Sequence, residues 1–223
     1  MEKEIVALVP VKANSERVKQ KNLRQFADTN LYELKLKQLQ KARGFSAKVV
    51  SSEDEKILDT AKKYGFQTHE RDPKYSTSDV PMSDVYSNIA SEITGENIAW
   101  INVTSPLAQT EVYENAIKEF NKLDSKHDCL LSAVEVKDYL FYNGNPINFK
   151  SNPWPKSQDL KGLTNITFVV NILKRQNMIQ WGSCVGESPY FYYLDSTSSM
   201  DIDFPEDFEF CEYLYKKKTL QNQ

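Results

Sequence analysis

Residues 5–22 read Ile5-Val6-Ala7-Leu8-Val9-Pro10-Val11 and then Lys12-Ala13-Asn14-Ser15-Glu16-Arg17-Val18-Lys19-Gln20-Lys21-Asn22. The first seven residues are an almost continuous apolar run, which is typical of a β-strand that is covered on both faces. Because Pro10 has no amide hydrogen to donate to a sheet, we expect the strand to end there.

A basic loop follows this strand and contains the cations Lys12, Arg17, Lys19 and Lys21. Open α/β sheets bind ligands beyond the carboxyl ends of their strands. Several cations next to free backbone N–H groups suit a triphosphate or a pyrophosphate. The glycine-rich P-loop pattern is absent, so a Walker-type phosphate site is excluded. The alternative is a solvated surface loop that happens to be basic.

Helical and strand patterns alternate along most of the remaining chain. Helices are predicted at residues 31–39, 53–65, 85–93, 111–123, 174–181 and 205–218, and strands at residues 47–51, 66–69, 97–103, 129–134, 166–172 and 190–194. This alternation predicts parallel βαβ units and, with right-handed crossovers, a layered α/β fold. Residues 139–154 are rich in aromatics, Asn and Pro, and predict an antiparallel excursion or flap. No repeat or flexible linker divides the chain, so residues 1–223 are predicted to be one domain.

Composition excludes several classes of protein. The chain has 223 residues and a net charge of -3, which argues against general nucleic-acid binding. No stretch approaches the roughly 20 apolar residues of a membrane span. The charged start of the chain and the three widely spaced cysteines predict a cytoplasmic protein with reduced thiols. Because the chain has only two histidines, any metal is expected to be a hard cation on carboxylates.

Asp201-Ile202-Asp203 is the candidate cation site. Residues two apart in an extended segment point to the same face, so the two carboxylates could hold Mg²⁺ that keeps water and phosphate ligands. The alternative is a solvated pair that caps a helix beginning at Pro205.

Two further polar segments are candidates for ligand contact. The turn Thr104-Ser105-Pro106-Leu107 follows a predicted core strand and should lie at the carboxyl edge of the sheet. The loop Ser76-Thr77-Ser78-Asp79 could contact a base or a ribose through short polar groups. The alternative for the first segment is an ordinary hydroxyl-rich turn, and the alternative for the second is a segment that caps the following helix.

Together these segments resemble the CMP-N-acylneuraminate synthetases, the cytidylyltransferases that activate sialic acid and related keto sugar acids. The matching segments follow the family's order almost from end to end. They are Pro10-Val11-Lys12-Ala13-Asn14-Ser15, Lys21-Asn22-Leu23, Val50-Ser51-Ser52-Glu53-Asp54, Ala61-Lys62-Lys63-Tyr64-Gly65, Arg71-Asp72-Pro73 with Ser78-Asp79, Thr104-Ser105-Pro106-Leu107, Ser157-Gln158-Asp159-Leu160, and Asp201-Ile202-Asp203 with Glu206-Asp207.

The resemblance implies a three-layer, Rossmann-like nucleotide-sugar transferase fold with a mostly parallel central sheet. It implies that CTP and a sugar-acid acceptor give a CMP-linked product and pyrophosphate, with Mg²⁺ as cofactor. The implied catalytic residues are Lys21, Asp201 and Asp203, and the two aspartates also hold the metal. The implied nucleotide-binding residues are Lys12, Asn14, Ser15, Arg17, Asn22, Ser78, Asp79 and Ser83. The implied acceptor-binding residues are Asn102, Thr104, Ser105, Gln158 and Asp159. Residues 137–161 match a region that packs against a second subunit, which implies a homodimer.

Departures from the family pattern concentrate on the acceptor side. Lys12 and Glu16 stand where the family has Arg and Lys, Asn102-Val103 replaces a Gln, and Ala108 replaces an Arg. The family's Arg-x-Asn-Gly segment, whose Arg can pair with the carboxylate of the sugar acid, is replaced by Gly162-Leu163-Thr164-Asn165-Ile166-Thr167. Our hypothesis is therefore that the acceptor is not ordinary sialic acid but a different nonulosonic acid or another small anionic molecule.

Two other function classes are alternatives to this interpretation. The departures also fit a non-catalytic nucleotide-binding or assembly protein of a surface-glycan pathway, which pyrophosphate release with CTP would exclude. An NAD-dependent dehydrogenase is disfavoured, because no glycine-rich fingerprint follows the first strand.

Overall fold

Strands and helices alternate along the chain in the computed structural model, which describes residues 2–13, 15 and 18–221. The elements are β1 (Ile5–Pro10), β2 (Gln25–Phe26), β3 (Thr29–Asn30), α1 (Leu31–Lys41), β4 (Ala47–Ser52), α2 (Glu55–Lys63), β5 (Gln67–Glu70), α3 (Met82–Glu92), β6 (Asn97–Trp100), α4 (Thr110–Lys122), β7 (Cys129–Val136), β8 (Phe141–Tyr142), β9 (Asn145–Pro146), β10 (Leu163–Lys174), α5 (Arg175–Trp181), β11 (Pro189–Tyr193) and α6 (Pro205–Gln221).

The central sheet has seven strands in the order β11-β7-β10-β6-β1-β4-β5. Strand β1 is parallel to both of its neighbours, β4 and β6. Strand β10 alone runs against its neighbours, and it is antiparallel to both β6 and β7. The carboxyl ends of β1, β4, β5 and β6 therefore meet at one edge of the sheet, where α/β proteins of this kind bind ligands.

Strand β1 has an apolar layer on each face. Ile5, Ala7 and Val9 belong to one buried cluster, which includes residues of α1, α2 and α4. Val6 and Leu8 belong to a second cluster, which includes residues of α3 and α5. The prediction of a doubly covered strand in a three-layer α/β fold is confirmed, and the strand ends at Pro10 as expected.

Helices α2 and α3 begin at other residues than the sequence predicts, each for a physical reason. Helix α2 is capped by Asp54, whose carboxylate accepts from the N–H of Ile57, because Ser51 and Ser52 are still paired in β4. Helix α3 begins at Met82 rather than at residue 85, and Pro81 immediately precedes it. Helix α1 is capped by Asn30, whose side chain accepts from the N–H of Glu33.

The excursion predicted after the fifth core strand is a small hairpin. Strands β8 and β9 pair antiparallel through Asn143 and Gly144, which both have positive φ, as a type I′ turn requires. Aromatic rings gather at this hairpin, with Tyr139 stacked on Trp154 and Phe149 edge-on to both.

Three cysteines, Cys129, Cys184 and Cys211, are buried and unpaired with one another. Among the described residues, no helix combines the length and the apolar character needed to cross a membrane.

Candidate active site

A cleft of about 680 Å³ opens at the carboxyl edge of the parallel strands. It lies where β1 and β6 end, and it is bordered by the basic loop, the loop before α3 and the segment before α6. The lining residues are Pro10, Lys12, Ser15, Lys21, Asn22, Ser76, Thr77, Ser78, Asn102, Val103, Thr104, Phe168, Asp201 and Asp203.

Lys21 joins the basic loop to the acidic segment before α6. Its Nζ donates to the carbonyl oxygen of Ile202 at 2.6 Å and lies 4.0 Å from Oδ1 of Asp203. The Nδ2 of Asn22 donates to the carbonyl oxygen of Lys12 at 2.9 Å, which fixes the start of the loop. Among the described residues, the buried Oδ1 of Asn22 has no hydrogen-bond partner, while the residue itself borders the cleft.

The acidic segment is extended and is anchored through its middle residue. Ile202 is fully buried, and its N–H donates to the carbonyl oxygen of Thr104 at 3.0 Å. Asp201 and Asp203 consequently both face the cleft, as the alternation of an extended chain requires. Asp201 also accepts a hydrogen bond from the Thr104 side chain, and the Ser105 hydroxyl lies 3.5 Å from its Oδ1.

Asp201 is open to water through the cleft but is enclosed by protein on its other sides. This partial desolvation raises the pKa of its carboxyl, and the negative charge of Asp203 adds to the effect. Thr104 and Lys21 act in the opposite direction but do not cancel it. A cation bound at the two carboxylates would relieve this repulsion, so the donor set fits a hard divalent ion.

Within the described part of the chain, no three His, Cys, Asp or Glu side chains come together as a metal cage. Mg²⁺ usually takes one or two protein carboxylates and completes its shell with substrate phosphates and water.

Glu53 connects the two loops that border the nucleotide side of the cleft. One carboxylate oxygen accepts from the N–H of Ala13 at 3.0 Å, and the other accepts from Arg71 and Ser76, each at 2.8 Å. Arg71 is almost fully buried and also donates to the carbonyl oxygen of Val11 at 2.8 Å. Burial would raise the pKa of Glu53, but these hydrogen bonds outweigh it and hold the pKa below the ordinary value.

Lys35 lies under the turn that carries Thr104. It is fully buried, and its Nζ donates to the carbonyl oxygen of Ser105 at 2.9 Å and to the hydroxyl of Tyr113. Burial lowers the pKa of Lys35 to about 7, although the negative charge of Asp201 opposes the shift. Gln38, one turn later on α1, donates to the carbonyl oxygen of Pro106 at 2.7 Å, so α1 holds two consecutive carbonyls of the turn.

Comparison with known proteins assigns this arrangement to a family. The family model described as cytidylyltransferase matches residues 6–223. The chain belongs to the cytidylyltransferase family. The match spans the basic loop, the cleft and the acidic segment, and it confirms the resemblance inferred from the sequence.

Relatives of this cytidylyltransferase include proteins that are similar over nearly their whole length. Post-translational flagellin modification protein B of Campylobacter coli is 24% identical over 231 residues, which cover 98% of this chain and 97% of that protein. Pseudaminic acid cytidylyltransferase of Campylobacter jejuni subsp. jejuni is 23% identical over 224 residues, which cover 95% and 96% of the two chains.

The fold is also found among solved structures. CMP:2-keto-3-deoxy-manno-octonic acid synthetase, solved in complex with CTP, has a TM-score of 0.71 and 10% sequence identity. The superposition covers 96% of this chain and 99% of that one, and at this identity it bears on the fold alone.

The cytidylyltransferase cleft brings together most of the residues that the sequence singled out. Those that line it are Lys12, Ser15, Lys21, Asn22, Ser78, Asn102, Thr104, Asp201 and Asp203. Ser105 lies beneath the cleft wall, fully buried. Asn14 and Arg17 are outside the described residues. The roles assigned to all of these residues remain predictions.

Four predicted site residues lie elsewhere in the structure. Asp79 is exposed beyond the lining of the cleft, and Ser83 is exposed in the first turn of α3, 3.3 Å from Oδ1 of Asp84. Gln158 and Asp159 belong to a short exposed 3₁₀ turn in the excursion. Within one chain these two residues do not reach the cleft, so an acceptor contact from them would require a second subunit.

Four residues that border or support the cleft could not be recognised as functional from the sequence. Glu53 and Arg71 were within matched segments, but nothing in their spacing indicates that they bond to each other. Lys35 falls in a predicted amphipathic helix, where a lysine is expected to face solvent. Phe168 reads as a core residue of a strand, and only its backbone conformation places it in the cleft.

Proposed function

We propose that this protein transfers CMP from CTP to a keto sugar acid of the nonulosonic class and releases pyrophosphate. The observation that best supports this proposal is that a lysine-containing loop, a short polar loop and two neighbouring carboxylates line a single cleft at the carboxyl edge of the sheet. Such a set provides countercharge for a triphosphate and ligands for a divalent cation. Membership of the cytidylyltransferase family supports CTP as the nucleotide.

The proposed reaction is a displacement at the α-phosphorus of CTP. The oxygen of an acceptor hydroxyl forms a bond to phosphorus, the bond from phosphorus to the α–β bridging oxygen breaks, and pyrophosphate departs. The hydroxyl proton passes to solvent water. Reactions of this kind depend mainly on positioning and on neutralisation of charge, because the protein takes no covalent part in them.

The residues of the cleft have separate tasks in this proposal. Lys21 and Lys12 neutralise the negative charge that grows on the departing pyrophosphate. Ser76, Thr77 and Ser78 face the same cleft and provide hydroxyl groups for the nucleoside. Asn22 holds the start of the basic loop in place through its hydrogen bond to the carbonyl oxygen of Lys12. Asn102 and Thr104, which follow β6, face the acceptor.

Asp201 and Asp203 are proposed as the ligands of Mg²⁺. When bound, Mg²⁺ supplies Lewis-acid stabilisation of the phosphate charge and lowers the pKa of a coordinated hydroxyl. The fit rests on the two carboxylates that share the cleft and on the raised pKa of Asp201, which a bound cation would lower by stabilising the charged carboxylate.

The acceptor is proposed to be a nonulosonic acid other than ordinary sialic acid. The segment 162–167, which stands in place of the family's arginine-containing segment, has no cation to pair with a carboxylate. The similarity to a pseudaminic acid cytidylyltransferase supports an acceptor of that chemical class. Turnover of N-acetylneuraminic acid at a rate near that of the best acceptor would contradict this part of the proposal.

A homodimer and a cytoplasmic location complete the proposal. The hairpin excursion exposes 69% of Tyr142, 61% of Trp154 and 55% of Phe141, and exposed aromatic patches of this kind often mark interfaces. Sedimentation velocity of the wild type and of Trp154→Ala tests the dimer. Three unpaired buried cysteines favour a reducing compartment.

The function is tested by pyrophosphate release in the presence of Mg²⁺. The purified protein is incubated with each of the four nucleoside triphosphates and with pseudaminic acid, N-acetylneuraminic acid and 2-keto-3-deoxy-manno-octonic acid. Release with CTP and one acid supports the proposal. Tight CTP binding without turnover of any keto sugar acid would favour the non-catalytic alternative, which the retained lysine and carboxylates otherwise disfavour.

A further inference from the structure

Phe168 lines the cleft through an unusual piece of backbone. Its φ is 53°, a left-handed conformation that is strained for a bulky residue. The residue lies on β10, which is otherwise an ordinary antiparallel strand between β6 and β7. Strain of this kind persists only where the surrounding structure enforces it.

The enforcing feature is a bulge in β10 opposite Ser132. Ile166 pairs with Ala133 and Asn171 pairs with Leu131, so residues 167–170 stand opposite Ser132 alone. The fully buried Ser132 hydroxyl accepts from the N–H of Val170 at 3.1 Å and lies 3.0 Å from Oγ1 of Thr167. Bulges commonly re-aim a side chain next to an active site.

Phe168 is only partly buried. It packs against the apolar cluster on the α3 and α5 side of the sheet, and the residue also borders the cleft with Asn102, Thr104 and Asp201. The core thus supports the side chain on one side, while the cleft leaves part of it accessible to a ligand.

Topology determines which substrate this aromatic surface meets. The basic loop follows β1, and the Ser76–Ser78 loop follows β5, so the polar groups for a nucleotide lie on the β1-β4-β5 side. Phe168 lies on β10, beyond β6, on the opposite side of Asn102 and Thr104. The nucleotide and the aromatic surface are therefore separated by the end of β6.

We infer that Phe168 is a specificity-determining residue that packs against the apolar C–H face of the acceptor's sugar ring. This inference rests on the proposed function, because it concerns the second substrate of that same cleft. A sugar ring has one face dominated by C–H groups, and the negative face of an aromatic ring is a suitable surface for it. The carboxylate and hydroxyl groups of the acid then remain directed toward Asn102, Thr104 and the carboxylate pair.

Four variants test the inference. Phe168→Ala removes the ring, and Phe168→Gly removes it while allowing the positive φ without strain, which guards against a folding defect. Phe168→Tyr keeps the aromatic face. Phe45→Ala is the matched control, because Phe45 is also partly buried on the core but lies before β4, at the opposite edge of the sheet.

Kinetics with CTP and the best acceptor give the first measurement. We expect the acceptor KM of Phe168→Ala and Phe168→Gly to rise about tenfold, the size expected when one aromatic contact is lost. The KM for CTP should change less than about threefold, and Phe168→Tyr and Phe45→Ala should resemble the wild type. An unchanged acceptor KM, or a larger rise in the KM for CTP, would overturn the inference, the latter because it indicates stacking on the base.

Calorimetry separates this inference from the proposed function. Pseudaminic acid and N-acetylneuraminic acid are titrated into wild type and Phe168→Gly that are saturated with CDP, which cannot release pyrophosphate. Weaker acid binding by the variant supports the inference even where turnover is absent and the proposed function fails. Equal binding by the two proteins, or no binding of either acid to the wild type, would contradict it.

Discussion

Lys35 on α1 carries a buried amine that donates to the carbonyl oxygen of Ser105. Its ammonium group is fully buried under the Ser105 turn, and burial lowers the pKa from the ordinary 10.5 to about 7. At about 1.4 kcal/mol per pKa unit, this difference corresponds to a cost of about 5 kcal/mol for folding with a charged Lys35. Between pH 7 and 10.5 the unfolded chain binds a proton that the folded chain lacks, so this contribution makes the protein more stable as the pH rises.

Lys35→Met removes the titrating group and keeps a side chain of similar length. The variant loses the hydrogen bonds to Ser105 and Tyr113, which costs about 1–3 kcal/mol for each unsatisfied buried partner. That loss does not depend on pH, whereas the relief of the buried charge does. The stability of the variant relative to the wild type should therefore fall by about 2 kcal/mol between pH 7 and pH 9.

Urea unfolding followed by circular dichroism at pH 6, 7, 8 and 9 measures this difference. Lys37→Met is the matched control, because Lys37 is exposed on the same helix, and its effect should be flat across the range. A flat difference for Lys35→Met as well would refute the view that Lys35 folds in its neutral form. A difference that is flat between pH 6 and 7 and slopes above pH 7 would support it.

Three further predictions concern the cleft. Lys21→Met should lower kcat/KM about 100- to 1000-fold in the pyrophosphate assay, because it removes countercharge for the leaving group, while Lys19→Met in the exposed part of the same loop should change it less than about threefold. Asp201→Asn should abolish activity that depends on Mg²⁺, yet leave the thermal midpoint unchanged or raise it, because the protein raises the pKa of this carboxyl and so disfavours its charge; a marked drop in the midpoint would contradict this reading. Glu53→Gln should raise the KM for CTP about tenfold by loosening both loops. The pKa of Glu53 is held below the ordinary 4.5, so its charged form stabilises the folded protein. The difference in unfolding free energy between the wild type and Glu53→Gln should therefore be full at pH 7 and shrink as the pH falls below 4.5. A difference that does not depend on pH would exclude the charge of Glu53 as its source.

Sequence patterns predicted the parts of this structure that depend on local chemistry. The apolar run that begins at Ile5 reflects burial of the strand on both faces, and the strand ends at Pro10 because proline lacks an amide hydrogen. Both features can be recognised from the sequence alone. The extended Asp201-Ile202-Asp203 segment is similar, because alternation alone directs Ile202 inward and both carboxylates into the cleft.

Long-range contacts account for what the sequence did not reveal. Glu53 bonds to residues 40 positions before it and 23 positions after it, and no spacing rule indicates such a connection. Lys35 faces the core because the Ser105 carbonyl lies there, 70 residues along the chain, and offers an acceptor. Phe168 is directed by a bulge whose position is fixed by Ser132 on the neighbouring strand.

Phosphorus NMR of a single reaction mixture shows directly whether the protein transfers CMP to a sugar acid. The mixture contains the protein, MgCl₂, CTP and pseudaminic acid, and the Lys21→Met protein serves as the comparison. We expect the three CTP resonances to decline together and one pyrophosphate to appear for each phosphodiester of a CMP-linked sugar. Unchanged CTP, or hydrolysis to CMP or CDP without a sugar phosphodiester, would contradict cytidylyl transfer in this cleft.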